Sequence, residues 1–177
     1  MIIYLNGTSS SGKTTVAKLI QEEFEGSYFY FSIDSLLYSL PEKTLKSIES
    51  GGDLAKQLDW QGIFASYFEC LMALSRNGQN VIGDCPIYSQ KQFDCFKESI
   101  GEIKEIVRVG IDCPLEILNQ REKDRGDRAI GLAASQAETI HQFLPYDLKV
   151  DSSEMNPQEI VDKIKVRSQC FRWRTFV

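Results

Sequence analysis

The sequence lacks the residue patterns that would hold a structural metal ion or a disulfide framework. It has one histidine and five cysteines, and no cysteine pair or cysteine–histidine cluster shows the spacing of a zinc site. An odd number of widely scattered cysteines predicts buried free thiols in a reducing compartment. They are Cys70, Cys85, Cys95, Cys113 and Cys170.

Long apolar runs and an excess of basic charge are also absent. No stretch approaches the ~20 apolar residues that span a membrane, and no charged region followed by an apolar segment predicts a signal peptide. The formal net charge of −5 argues against general binding to nucleic acid or to anionic membranes, because both require a basic face. We therefore expect a cytoplasmic protein with neither of these partners. Its 177 residues, without repeats or a visible boundary, predict one domain over 1–177.

A loop bounded by two glycines follows the apolar run 1–5 and precedes a helical pattern. In a strand–loop–helix unit of this kind, backbone N–H groups and the positive end of the helix dipole converge on an anion. A lysine in the loop reaches the β- and γ-phosphates, and the hydroxyl after it binds Mg²⁺. The pattern predicts a Walker A nucleotide-binding loop, with a serine-rich turn as the alternative. The predicted nucleotide ligands are Gly7, Thr8, Ser9, Ser10, Ser11, Gly12, Lys13, Thr14 and Thr15, and Thr14 is also the predicted metal ligand.

Strand-like and helix-like segments alternate along the rest of the chain. Apolar or β-favouring runs predict further strands at 27–33, 81–84, 106–111 and 146–151. Helical patterns occur at about 36–40, 54–76, 88–100, 114–123, 129–143 and 156–166. Residues 41–53 look like a loop or a partly helical excursion. This alternation predicts an α/β fold with a parallel sheet covered on both faces.

Carboxylates follow three of the predicted strands, at the edge of a parallel sheet where ligands bind. Asp34 is placed to accept the proton of a substrate hydroxyl that attacks phosphorus, although it or Ser35 also suits the cap of the next helix. Asp84 stands where a Walker B carboxylate holds Mg²⁺; the alternative is a strand-end carboxylate without a metal. Asp112 is predicted to cap the helix that begins near Pro114.

Three arginines concentrate positive charge in a segment at about 121–130, which Gly126 interrupts. Arg121 and Arg125 are four residues apart and therefore share a helix face, and Arg128 follows the glycine. Arginines on a hinged lid can stabilise the negative charge of a transferring phosphoryl group. The alternative is a solvated face on which these arginines pair with Glu122 and nearby aspartates.

Other reactive residues have no supporting pattern. His141 is predicted to be a hydrogen-bonding residue at a helix end rather than a base, and Cys85 a packing residue rather than a nucleophile. The tail 170–177 alternates aromatic and polar residues, which suits a terminal strand, a dimer contact or an aromatic flap.

Taken together, the chain resembles the chloramphenicol phosphotransferase-like family of small P-loop kinases, relatives of shikimate and adenylate kinases. The resemblance runs from about residue 2 to residue 164. It depends on the phosphate loop, on Ile33-Asp34-Ser35-Leu36, and on the arginine segment 121–128. The stretches 131–136 and 146–151, with His141 between them, are similar too.

The resemblance implies a P-loop NTPase fold of the nucleoside/shikimate kinase type, with a five-stranded parallel sheet in the order 2-3-1-4-5. It also implies ATP and Mg²⁺ as cofactors, Asp34 as catalytic base, Lys13 as a phosphate contact, and Arg121, Arg125 and Arg128 as lid arginines. The family often has two adjacent carboxylates where this chain has Gly83-Asp84. The segment 41–61, where the family builds its acceptor pocket, matches poorly, so antibiotic specificity does not carry over.

The predicted function is ATP-dependent phosphorylation of a hydroxyl on a small molecule. Two alternatives remain: a nucleotide or sugar-nucleotide kinase of the zeta-toxin type, and a nucleotide-binding protein without transfer activity. The sequence predicts neither the acceptor nor the oligomeric state.

Overall fold

A sheet of five parallel strands lies at the centre of the fold. The computed structural model describes residues 1–100, 103, 105–125 and 131–174, and the side chains of residues 125 and 171–174 are outside this description. The strand order β2-β3-β1-β4-β5 confirms the predicted order. The strands are β1 (Ile2–Asn6), β2 (Tyr28–Ser32), β3 (Asn80–Asp84), β4 (Ile106–Asp112) and β5 (Leu148–Asp151).

Helices cover both faces of the sheet, as predicted. One apolar cluster joins the sheet to α1 and α9 through residues such as Ile20 and Ile164. The other joins it to α5 and α6 through residues such as Phe68 and Phe96. The helices of the described part are α1 (Lys13–Glu23), α2 (Ile33–Leu37), α3 (Glu42–Ser50), α4 (Asp53–Lys56), α5 (Trp60–Arg76), α6 (Gln90–Ile100), α7 (Leu115–Arg125), α8 (Leu132–Ala137) and α9 (Pro157–Arg174).

The strand register brings the ends of three strands together. Asp84 pairs with Leu5 of β1 and with Ser32 of β2, so β1, β2 and β3 end side by side. Because all strands are parallel, the loops that follow them lie at the same edge of the sheet. The described helices include none that is long and apolar enough to cross a bilayer.

One helix prediction is wrong in its extent. The predicted helix 54–76 is divided into α4 and α5, because the Asp59 carboxylate accepts the Gly62 N–H at 3.0 Å and starts α5 anew. Residues 41–53, predicted as a loop or a partly helical excursion, do contain a helix: α3 is followed by the cap residue Gly51, which has a positive φ of 66°.

Two further boundaries differ from the sequence prediction. Within the described residues, the predicted helix 129–143 is helical only in α8, which ends at Ala137; residues 129 and 130 lie outside the described part. Helix α9 continues past the predicted end at Val166, so the described part of the tail is helical to Arg174 and is not a strand.

Candidate active site

The phosphate loop, residues 7–14, connects β1 to α1 with two positive φ angles. Gly12 has φ 95° and Ser10 has φ 61°, and the latter value is uncommon for a residue with a side chain. A Cβ at Gly7 would lie 2.5 Å from the Ile111 carbonyl oxygen and 2.6 Å from Ser11 Oγ. Glycine is therefore required at position 7 because β4 packs directly against the loop.

The loop presents buried hydroxyl groups without protein partners. The Oγ atoms of Ser9, Ser10 and Ser11 are buried, and none has a hydrogen bond within the described part of the chain. Buried hydroxyls normally have partners, so three in succession at a helix amino terminus fit an anion with several acceptor oxygens. Phosphate groups of a nucleotide meet this requirement.

Lys13 lies at the base of the loop. Its Nζ donates to the carbonyl oxygens of Gly7 at 3.0 Å and Thr8 at 2.7 Å, and it lies 3.8 Å from Asp84 Oδ1. Both charged side chains are about nine-tenths buried. The structure thus brings together the loop lysine and the β3 carboxylate that the sequence predicted separately.

Tyr30 of β2 connects the two predicted metal ligands. Its hydroxyl lies 2.9 Å from Asp84 Oδ2 and 3.3 Å from Thr14 Oγ1. Burial and the neighbouring Asp84 carboxylate raise the pKa of the Tyr30 hydroxyl well above its ordinary value. The sequence analysis missed this residue, because an aromatic side chain in a strand is typical of core packing.

Asp34 lies in the first turn of α2, half-buried and facing the cleft. The prediction that Asp34 or Ser35 caps this helix is wrong. The cap is Ser32, whose Oγ accepts the Ser35 N–H at 3.1 Å while the Ser35 side chain accepts the Ser32 N–H. Since Ser32 serves as the cap, the Asp34 carboxylate is not used for capping and lines the wall of the cleft.

Arg121 reaches from α7 to the phosphate loop. Its guanidinium donates to Ser152 Oγ at 3.1 Å and to the Ser152 carbonyl at 2.9 Å, and it lies 3.5 Å from the Ser10 carbonyl. Arg125 is at the end of α7, and its side chain is outside the described part. Arg128 and Gly126 are among the residues not described, so their predicted roles stay predictions.

Glu122 is not part of a solvated charged face. It is 1% exposed, and its carboxylate accepts the N–H groups of Gly131 at 3.0 Å and Ala133 at 2.7 Å. These bonds satisfy backbone donors at the start of α8. Glu122 therefore joins α7 to α8.

Helix α8 in turn contacts the phosphate loop. Gln136 is buried, and its Oε1 accepts the Ser9 N–H at 2.9 Å. The sequence analysis did not single out Gln136, although it ends the stretch 131–136 that carries part of the family resemblance.

The other polar residues near this edge form a structural network. The His141 ring bonds to the Tyr146 hydroxyl at 2.7 Å and lies 3.5 Å from Asp112, in agreement with the predicted hydrogen-bonding role. The prediction that Asp112 caps α7 is wrong, because its carboxylate bonds to the adjacent Cys113 N–H and pairs with Lys149 at 3.2 Å. Cys85 is fully buried and burial raises its pKa, as expected of a packing residue.

A cleft of about 430 Å³ connects these groups. One end is lined by the phosphate loop, and the other by Asp34 and apolar side chains. A side cavity of about 300 Å³ shares the walls Trp60, Phe64 and Tyr88 with the cleft. The residues that line the cleft include Ser9, Ser10, Gly12, Lys13, Thr14, Thr15, Ile33, Asp34, Leu37, Trp60, Phe64, Asp84, Pro86, Tyr88, Arg121, Gln136, Ser152, Met155, Pro157 and Ile160.

Mg²⁺ fits this arrangement as a partner of a bound phosphate. Within the described residues there is no group of three or more histidine, cysteine or acidic side chains that could hold a metal alone. Mg²⁺ commonly uses one or two protein ligands together with substrate phosphates and water. Thr14 and Asp84, on either side of Tyr30, provide such a set.

The strand order, the phosphate loop and the cleft define a P-loop kinase fold. The chain belongs to the chloramphenicol phosphotransferase-like family, whose model matches residues 1–169. Membership in this family and the fold support a kinase or phosphotransferase activity.

Known proteins agree with this assignment. A Mycobacterium tuberculosis protein that is named as an O-phosphotransferase is 25% identical to this chain, and the match covers 92% of this chain and 80% of that protein. A gluconokinase from Sinorhizobium meliloti superposes with a TM-score of 0.71 at 22% identity, covering 98% of this chain and 94% of its own. The APS kinase of Mycobacterium tuberculosis, in complex with AMPPNP and APS, superposes with a TM-score of 0.69 at 15% identity, covering 95% of this chain and 96% of its own. At these identities the structural likenesses show the fold.

Proposed function

We propose that this protein is an ATP-dependent, cytoplasmic kinase that transfers the γ-phosphoryl group to a hydroxyl of a small molecule. The observation that supports this most strongly is a single cleft that the phosphate loop and Asp34 line together. Phosphoryl transfer requires a donor site and an acceptor site in line with each other, so both must open into one space.

The donor end of the cleft would hold ATP with Mg²⁺. The loop N–H groups, the buried serine hydroxyls and Lys13 would bind the phosphates. Thr14 and Asp84 would hold Mg²⁺, which when bound neutralises charge on the phosphate oxygens. Thr15, Met155, Pro157 and Ile160 line the same cleft beyond the loop and leave space for the rest of the nucleotide.

Asp34 would act on the acceptor hydroxyl. In the proposed step the hydroxyl oxygen bonds to the γ-phosphorus, the bond from that phosphorus to the bridging oxygen breaks, and ADP leaves with the bonding electrons. The hydroxyl proton passes to the Asp34 carboxylate, whose position in α2 is fixed by the Ser32 cap. Arg121 touches the loop that holds the phosphates, and Arg125 and Arg128 follow it on the predicted lid.

The walls of the acceptor half favour an uncharged molecule. They consist of Ile33, Leu37, Trp60, Phe64, Pro86 and Tyr88 around Asp34. Trp60 donates its ring N–H to the Ala55 carbonyl at 3.0 Å, so its ring faces remain as apolar surface. The described residues that line the acceptor half of the cleft and the side cavity include one basic side chain, Lys91, and it is exposed. A nucleotide or sugar nucleotide would require cationic partners, so this composition favours the small-molecule hydroxyl over the zeta-toxin type of acceptor.

Substitution of Asp34 by asparagine tests the catalytic assignment. We expect kcat to fall by ~10²–10⁴-fold, since proton transfer by a positioned group contributes about that much. ATP affinity, measured by calorimetry, should stay within about twofold. The control Asp53→Asn removes an exposed carboxylate of α4 and should leave both values unchanged. A kcat for Asp34→Asn within a few-fold of the native value would contradict the assignment.

An acceptor screen tests the reaction class. ADP release and the product mass should identify transfer to neutral alcohols with an apolar body. Transfer confined to nucleotides or sugar nucleotides would overturn the proposed acceptor class and support the zeta-toxin alternative. ATP binding without transfer to any acceptor would support the non-catalytic alternative.

A further inference from the structure

We propose that Tyr30 is a positioning residue that presents the Thr14 hydroxyl and the Asp84 carboxylate to Mg²⁺. This inference rests on the proposed function, because the metal arrives with the nucleotide. Tyr30 is not among the residues that line the cleft and would touch neither metal nor substrate. It acts through the two side chains that it bonds.

The position of Tyr30 follows from the strand register. It is in the middle of β2, next to Ile82 of β3, and two residues before Ser32, which pairs with Asp84. Its ring packs against the apolar cluster of α1 and the sheet. From there the hydroxyl extends between the first turn of α1 and the end of β3 to reach Thr14 and Asp84.

The hydrogen bonds have a defined direction. An ionised carboxylate only accepts hydrogen bonds, and a tyrosine hydroxyl has a single proton. With Asp84 ionised, the single Tyr30 proton is therefore donated to Asp84 Oδ2 at 2.9 Å. The 3.3 Å contact between Tyr30 and Thr14 then requires the Thr14 hydroxyl to be the donor. The Thr14 proton then points toward Tyr30, away from the cleft, and a lone pair of Thr14 Oγ1 faces the metal position.

The same bond orients Asp84. Tyr30 holds Oδ2, and Lys13 Nζ lies 3.8 Å from Oδ1. Each oxygen of the Asp84 carboxylate therefore has a partner, and the two contacts together favour one orientation of the carboxylate.

Tyr30→Phe separates this role from packing, because phenylalanine keeps the ring and removes only the bridge. We expect the Mg²⁺ concentration for half-maximal binding of AMPPNP to rise about tenfold or more, which is typical when a residue behind a metal ligand is removed. AMPPNP affinity in EDTA should stay within about twofold. The matched control is Tyr28→Phe, on the same strand and face, where the buried ring packs edge-on against Phe24; its Mg²⁺ dependence should equal that of the native protein.

A second variant tests the route of the effect. Thr14→Ala should itself raise the Mg²⁺ requirement, and adding Tyr30→Phe to it should have a smaller effect than in the native protein, because the two changes act on one chain of hydrogen bonds. An equal effect in both backgrounds, or an unchanged Mg²⁺ requirement in Tyr30→Phe, would overturn the inference. If native AMPPNP binding did not depend on Mg²⁺ at all, the proposed cofactor would fail first, and the inference with it.

Discussion

At the scale of single residues, the contact between Gly7 and β4 sets the shape of the phosphate loop. The missing side chain lets the Ile111 carbonyl and the Ser11 hydroxyl approach the Gly7 backbone closely. The loop conformation therefore depends on a strand that contains none of the predicted phosphate ligands.

Gly7→Ala should damage both the fold and the site. A Cβ at 2.5 Å from the Ile111 oxygen forces the backbone apart, and we expect a loss of roughly 1–3 kcal/mol in the free energy of unfolding. ATP affinity should fall by about tenfold or more, equivalent to ~1.4 kcal/mol. Urea unfolding and calorimetry measure the two effects.

Gly78→Ala is the control for that change. Gly78 has φ 76° and open space around its Cβ position, so alanine should cost about 1–2 kcal/mol of stability through backbone strain alone. Its ATP affinity should equal the native value. Native ATP affinity in Gly7→Ala would show that β4 does not shape the phosphate loop.

The residues of the site differ in how well the sequence predicted them. The positions of Lys13, Thr14 and Asp84 followed from a motif and from strand ends, because local order along the chain places them. Tyr30 and Gln136 could not be found in this way. Each acts through a contact with a residue distant in sequence, and each belongs to a type that is common in strands and helices for unrelated reasons.

At the scale of elements, α7 and α8 are joined at their base by Glu122. Its two oxygens accept two backbone N–H groups of α8 in a nearly solvent-free position. Gln136, at the other end of α8, holds the phosphate loop. The helix pair thus connects Arg121 and the predicted lid to the loop.

Glu122→Ala should destabilise the protein by about 2–4 kcal/mol, because it leaves two buried donors without the charged acceptor that satisfied them. Urea unfolding measures this loss. Glu116→Ala, an exposed change on the same helix, should cost no more than about 0.5–1 kcal/mol. Equal losses in the two variants would refute the role given to Glu122.

Element types were easier to predict than element ends. All five strands of the sheet were found: β1, β3 and β4 are short buried apolar runs, β2 is rich in β-favouring aromatic residues, and β5 showed a weaker pattern. The start of α5 at its Asp59 cap and the end of α8 at Ala137 were missed, because the apolar periodicity continues across both boundaries.

At the scale of the whole molecule, Asp147 joins β4, β5 and α9. It accepts the Arg108 N–H and the Arg108 guanidinium at 2.9–3.1 Å, and Arg167 of α9 lies 3.9 Å away. Burial by itself raises the pKa of Asp147, but the hydrogen bonds from Arg108 and the charge of both arginines outweigh it and lower that pKa below the ordinary value.

The lowered pKa of Asp147 predicts that the protein loses stability in acid. A carboxyl whose folded pKa is depressed stabilises the fold above its unfolded pKa of ~3.9, and this contribution is lost as pH falls through that value toward the folded pKa. Urea unfolding should show a loss of stability between neutral pH and pH ~3. Asp147→Asn should be less stable at pH 7 and lose less on acidification, whereas Asp94→Asn, an exposed change on α6, should follow the native curve. An unchanged pH dependence in Asp147→Asn would contradict this assignment.

The central position of β1 has a consequence for synthesis of the chain. β1 is synthesised before the other strands, but the residues that pair with it in β3 and β4 start only at Val81 and Ile106 and are synthesised much later. At ~5–20 residues per second, a ribosome needs roughly 4–15 s to reach Val81 after Asn6. During that interval the most apolar strand of the sheet has no partner strand. Early in translation we therefore expect chaperones that recognise exposed apolar segments to bind this nascent chain.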